Sequence, residues 1–208
     1  KNKIEHRIIQ QYHSPRASFT SFLYTILNVL HSTLKIKQQD ILESIIELEN
    51  LSKKINSLNL TNENPALSLS QWLNNIPVIY YPFGLQSAAI RFKNSLQENA
   101  KMHVITEDVI EVCHNGIVSW EKPSDVKPIL IQGVDDYNKT KERFDILMEY
   151  FELNSIEYKK INSVKGSILT KLINLIYFLD YTSIYKAILL ETDPTPVKSI
   201  EFIKERTI

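Results

Sequence analysis

An α/β fold with a mainly parallel sheet is predicted for this chain on three observations. From Pro77 onward, short apolar runs alternate with longer segments whose apolar residues recur at helical spacing. Successive apolar runs are separated by enough chain for a helical crossover, the connection that parallel strands require. Turn-forming residues, among them Pro82 to Gly84 and Asn115-Gly116, fall between the runs and not inside them.

The elements follow in order. Ile4 to Gln10 alternates weakly and reads as a short strand. Ser14-Pro15-Arg16 opens a helix, since proline suits a first helical turn. That helix runs from Ala17 to about Lys35 along Phe19, Phe22, Leu23, Ile26, Leu27 and Leu30. A second long helix spans Gln38 to Leu58, with Ile41, Ile45, Leu48, Leu51 and Ile55 on one face. Asn59 to Pro65 is a polar loop and the best domain boundary. A short helix over Leu69–Asn74 leads into the alternating region. Strands are expected near Val78–Tyr81, His103–Ile105, Ile129–Gln132 and Glu157–Ile161. Helices are expected near Gln86–Gln97, Lys139–Leu153, Gly166–Leu190 and Pro196–Arg206. In such a sheet, ligands are expected beyond the carboxyl ends of the strands.

Bulk composition narrows the function classes. The 208 residues can bury one substantial core. Lys+Arg and Asp+Glu both number 24, and a zero net charge argues against a nucleic-acid partner. No apolar stretch is long enough to span a membrane and no signal peptide opens the chain. The single cysteine, Cys113, excludes an intrachain disulfide framework and fits a reducing, cytoplasmic setting. It is expected to be a small buried side chain. No metal-ligand spacing, Walker loop or dinucleotide fingerprint appears.

Four residues stand out as candidates for chemistry. Glu98 lies at the end of a predicted helix, where a carboxylate opposes the helix dipole; it is either a solvated surface group or a base. His114, in the turn Cys113-His114-Asn115-Gly116, carries a side chain able to exchange protons near neutrality, although most lone histidines do not. Arg16 sits at a helix start, where its charge gains nothing from the dipole. Lys204 lies beside the apolar stripe Val197, Ile200, Ile203 of the last helix, and Lys198 competes with it. Arg91 and Lys93 read as holding their helix to its neighbours or to a subunit contact, and Tyr177, Phe178, Tyr181 and Tyr185 as core or interface.

Together these stretches resemble a known family. Glu98-Asn99-Ala100-Lys101 followed by HNGIVSWE at 114–121, Pro15-Arg16-Ala17, and DPTPVKSIEFIK at 193–204 are similar to the C-terminal half of archaeal-type bifunctional phosphoglucose/phosphomannose isomerases. These belong to the sugar isomerase (SIS) domain superfamily. The resemblance implies a three-layer αβα sandwich preceded by two long helices. Residues 1–15 would be a remnant or the closing strand of a preceding SIS domain, 16–64 linking helices, and 65–208 the C-terminal SIS domain. It implies isomerisation of glucose 6-phosphate or mannose 6-phosphate to fructose 6-phosphate through a cis-enediolate. Glu98 would move the proton, His114 and Lys204 would open the ring, and Arg16 would stabilise the intermediate. No metal or organic cofactor is implied. The partner would be a phosphorylated hexose, within a homodimer in which His114 reaches the neighbouring subunit's site. One departure matters. The family's first domain cradles the sugar phosphate with a Ser/Thr-Gly-rich loop, and the turn here, Pro82-Phe83-Gly84-Leu85, has no hydroxyl. The alternative is a non-catalytic sugar-phosphate-binding or dimerisation module.

Overall fold

The apolar runs become four parallel strands, β1 (Ile76–Tyr81), β2 (Ile105–Asp108), β3 (Val126–Gln132) and β4 (Lys159–Asn162), in the order β2-β1-β3-β4. The computed structural model describes residues 6–207. Every strand pair is parallel, with Val78 opposite Ile105 and Pro128, and Ile129 opposite Lys159. Side chains alternate across a strand, so the central strands β1 and β3 each feed two cores. Ile79, Tyr81, Ile129 and Ile131 face one way; Val78, Tyr80 and Leu130 face the other.

Each face is covered by helices whose apolar stripe matches it. On the first lie α5 (Gln86–Ala100), through Phe92 and Leu96, and α8 (Ile168–Leu189), through Leu175 and Leu179. On the second lie α6 (Val109–Val112) and α7 (Asn138–Leu153), through Val112, Phe144, Leu147 and Phe151. The predicted αβα sandwich is therefore the observed one. Trp120 closes the second core: its ring meets Phe151 edge-on at 5.3 Å, and its indole N–H donates to the Tyr80 hydroxyl at 3.0 Å. Burial pushes the Tyr80 phenol up to about 12.

Before the sheet stand α1 (Phe19–Val29), α2 (His31–Leu34), α3 (Gln38–Ile55) and α4 (Pro65–Trp72). The helix expected over Ala17–Lys35 is interrupted: a 3-10 turn occupies Arg16–Ser18, and Leu30 leaves helical geometry between α1 and α2. Ile4 and Glu5 lie outside the described residues, and His6–Gln10 forms no strand. The helix α3 packs on α8. Its Glu43 carboxylate accepts from the Ser167 amide (3.1 Å) and the Thr170 hydroxyl (2.8 Å) at the start of α8, which lowers its pKa. Tyr185, buried on α8, donates to the Ile55 carbonyl at 2.7 Å and accepts from Asn64. Half-buried Tyr177, Phe178 and Tyr181 pack around it, as their spacing implied.

Candidate active site at the end of helix α5

The 3-10 turn that interrupts the first helix carries Arg16. The buried Ser18 hydroxyl fastens that turn, accepting from the Tyr12 amide at 2.8 Å and donating to the Ser14 carbonyl at 2.8 Å. A second tether comes from Arg91 on α5. Its Nη2 donates to the Arg16 carbonyl at 3.1 Å, while Nε and Nη2 grip both carboxylate oxygens of Asp180 on α8. The Arg91 guanidinium also lies 4.6 Å over the Phe19 ring. The arginine read from sequence as a tether is one.

So held, Arg16 reaches the last turn of α5. Its Nε stands 3.3 Å from Glu98 Oε2. Nη1 donates to Asn99 Oδ1 and the Pro194 carbonyl, both at 2.8 Å, and Nη2 to the Thr195 carbonyl at 2.9 Å. Asn99 is itself fixed, since its Nδ2 donates to Ser183 on α8 at 2.8 Å. Arg16 and Glu98, 82 residues apart, thus form one constellation with the loop 193–196 that precedes the short helix α9 (Lys198–Lys204). Glu98 remains partly open, with 37% of its side chain exposed.

Two clefts flank Arg16. One, of about 700 Å³, runs along Glu98 between the end of α5 and the start of α9, lined by Asn94, Glu98, Lys101, Asp193, Lys198 and Ile200. The other, of about 580 Å³, lies between the start of α1, α5 and α8, and includes Phe19, Arg91, Tyr177 and Tyr181. Both have the size of small-molecule sites. The first exposes Glu98, a carboxylate beside a cation and able to serve as a base, whereas the carboxylate lining the second, Asp180, is gripped by Arg91.

The other two candidates lie elsewhere in the chain. Helix α5 starts at the carboxyl end of β1 and runs back, so Glu98 lies towards the amino ends of the strands. His114 follows β2 and α6 directly and lies at the carboxyl ends. The two are separated by roughly the length of α5, about 20 Å. The pairing of Arg16 and Glu98 therefore departs from the carboxyl-end location expected for a ligand. Lys204 is exposed on the last turn of α9 and does not line the Glu98 cleft, whereas Lys198 does. Cys113 is exposed and not buried as expected: Val112 takes the inward position, and the chain then turns outward. Among the described residues, no cluster of three or more His, Cys, Asp or Glu is arranged to hold a metal, and no helix is long and apolar enough to cross a membrane.

Comparison with known proteins agrees with the fold. The family model for the bacterial phospho-glucose isomerase C-terminal SIS domain matches residues 62–207. The chain belongs to this family. It is 32% identical over 145 residues to a bifunctional phosphoglucose/phosphomannose isomerase of Caldicellulosiruptor bescii, covering 67% of this chain and 42% of the relative. A protein of the same name from Aquifex aeolicus is 28% identical over 194 residues, covering 92% and 58%. The chain spans about half the length of the curated relatives it matches. A solved glucose-6-phosphate isomerase like protein from Thermus thermophilus superposes with a TM-score of 0.73 at 16% identity, over 93% of this chain and 64% of that one. That likeness is one of fold.

Sequence reasoning passed over Asn99, Lys101, Asp180 and Ser183, which build the floor of the site. Asn99 and Lys101 were visible as neighbours of Glu98. Asp180 carried no local signal, since its partners are 85 and 89 residues away in sequence.

Proposed function

We propose that this chain supplies the catalytic half of a sugar-phosphate aldose–ketose isomerase, acting on glucose 6-phosphate or mannose 6-phosphate to give fructose 6-phosphate. The observation that carries the reading is the Arg16–Glu98 pair, open to a ligand-sized cleft. The isomerase names of the curated relatives support the substrate class.

The chemistry follows from the groups. With the sugar ring open and C2 presented to Glu98, the carboxylate takes the C2 proton. The C–H electrons form a C1–C2 double bond, and the carbonyl electrons move onto O1, giving a cis-enediolate. Glu98 then returns the proton to C1 while the O2 proton moves to O1, leaving the ketose. The Arg16 charge beside Glu98 offsets the negative charge that develops. Because three of its five N–H donors already hold protein oxygens, its role is that of a fixed cation and not a mobile clamp. His114 and Lys204 would open the ring, with no metal or organic cofactor involved.

The separation of His114 from Glu98 makes a second copy necessary for this mechanism, with His114 entering the partner's site in a homodimer. Residues 65–208 would form the C-terminal SIS domain, 16–64 the helices that link it to a preceding domain, and 1–15 that domain's last segment. The phosphate would be anchored outside these residues, since the turn after β1 offers no hydroxyl. The enzyme would act in the cytoplasm. A non-catalytic sugar-phosphate-binding or dimerisation module is favoured by one observation only: no single chain brings His114 to Glu98. A coupled assay for fructose 6-phosphate conversion on the full-length protein decides between them. Turnover of either hexose phosphate supports the isomerase; binding without turnover supports the module.

A further inference from the structure

Helix α5 ends at Lys101, which adopts the left-handed conformation (φ 56°, ψ 32°), and the amide of the next residue, Met102, bonds to the Leu96 carbonyl at 3.3 Å. That position ordinarily belongs to glycine, because a Cβ there is sterically disfavoured. A lysine at such a position needs a reason, and its side chain supplies one. The ammonium donates to the Glu98 carbonyl, one of the free carbonyls at the helix end, and to the Pro196 carbonyl at 2.8 Å. Pro194 and Thr195 carbonyls are held by Arg16. Three successive carbonyls of one loop are thus bound by two cations, and both cations also bind Glu98, one at its carboxylate and one at its backbone. Beyond this loop, α9 has little else to hold it: its own residues are all exposed, including Phe202 and Ile203.

We infer that Lys101 is a positioning residue for the cleft: its ammonium fastens the loop 193–196 to the end of α5 and so sets the distance between Glu98 and the start of α9. The inference rests on the isomerase reading for its functional consequence, and on geometry alone for the fastening. Asp193 strengthens the arrangement. Its carboxylate accepts from the Thr195 amide at 2.8 Å, and its pKa is lowered mainly by that bond and also by the Lys101 charge. The loop is therefore internally turned before it is clamped.

Lys101→Gly separates positioning from stability. Glycine removes the steric penalty of the left-handed cap, so the unfolding midpoint stays at or above wild type. Without the ammonium the loop loosens, and amide exchange at Ile200 and Glu201, both bonded to the Val197 carbonyl, speeds up severalfold. In the full-length protein kcat for hexose phosphate isomerisation falls about 10- to 100-fold, with KM changed less, as expected when reacting groups are misplaced by a fraction of an ångström or more. Lys101→Arg, which keeps a cationic donor, retains more kcat than Lys101→Gly. Unchanged exchange in Lys101→Gly overturns the clamp. Faster exchange with unchanged kcat overturns the positioning role. A wild-type protein inactive on both hexose phosphates refutes the isomerase reading, and the positioning role with it, while exchange still reports on the clamp.

Discussion

Asp180 is the position where a small change should travel furthest into the site. Its carboxylate receives Arg91 Nε at 3.1 and 3.2 Å, Arg91 Nη2 at 2.8 Å and the Ser95 hydroxyl at 2.5 Å. Arg91 and Asp180 side chains are each only 23% exposed. Asp180→Ala removes all these contacts and leaves the Arg91 guanidinium half-buried without its counter-charge. Hydrogen bonds to charged groups contribute about 1.5–3 kcal/mol each when buried, and breaking a fully buried pair costs about 3–5 kcal/mol. A quarter-exposed pair is partly screened by water, which brings the expected loss to roughly 2–3 kcal/mol. For a chain of this length that lowers Tm by roughly 4–12 °C. Thermal unfolding by circular dichroism measures it, and a double-mutant cycle with Arg91→Met isolates the pair. Because Arg91 also holds the Arg16 carbonyl, the variant should lose isomerase activity at temperatures where it is still folded. A Tm drop under about 2 °C with no coupling in the cycle would refute the claim that Asp180 ties α5, α8 and the Arg16 turn together.

Two further outcomes follow from buried or bridging groups. The lowered pKa of Glu43 means that its stabilising contribution is complete above the ordinary value of 4.5 and disappears as pH falls through the lower folded-state value; acid unfolding of Glu43→Gln should therefore be less steep below pH 4.5 than that of wild type. Tyr80→Phe leaves the Trp120 N–H buried without its acceptor, at a cost of about 1–3 kcal/mol in urea unfolding, and removes from the ultraviolet titration one phenol that ionises near 12.

The alternating half of the chain was legible because its signals are local. All four strands lie within a few residues of the runs that announced them, and the central β1 and β3 are apolar on both faces, as doubly covered parallel strands must be. The break at Leu30 was not legible: no glycine or proline marks it. The exposure of Cys113 depended on which of two adjacent residues turned inward, and Val112 is the more apolar. At the site, composition and spacing gave Glu98 no more weight than a solvated carboxylate. The family's motifs implied a role for Arg16 as well as for Glu98, but their contact is seen only in the structure, because the two meet across 82 residues. Yet the opposite placement of His114 is implicit in the order of elements, since a helix after a parallel strand returns its C-terminus to the amino edge. The clamp at Lys101 has no local signal in the sequence, as it joins side chain to backbone across 95 residues.

The central claim is that Glu98 carries a proton between C2 and C1. Its most direct test is proton nuclear magnetic resonance of glucose 6-phosphate and fructose 6-phosphate in deuterated water, with the full-length protein and its Glu98→Gln variant. The account predicts solvent deuterium at C2 of the aldose and C1 of the ketose with wild type, and its loss, together with turnover, in Glu98→Gln. Exchange and turnover that persist in Glu98→Gln would contradict it.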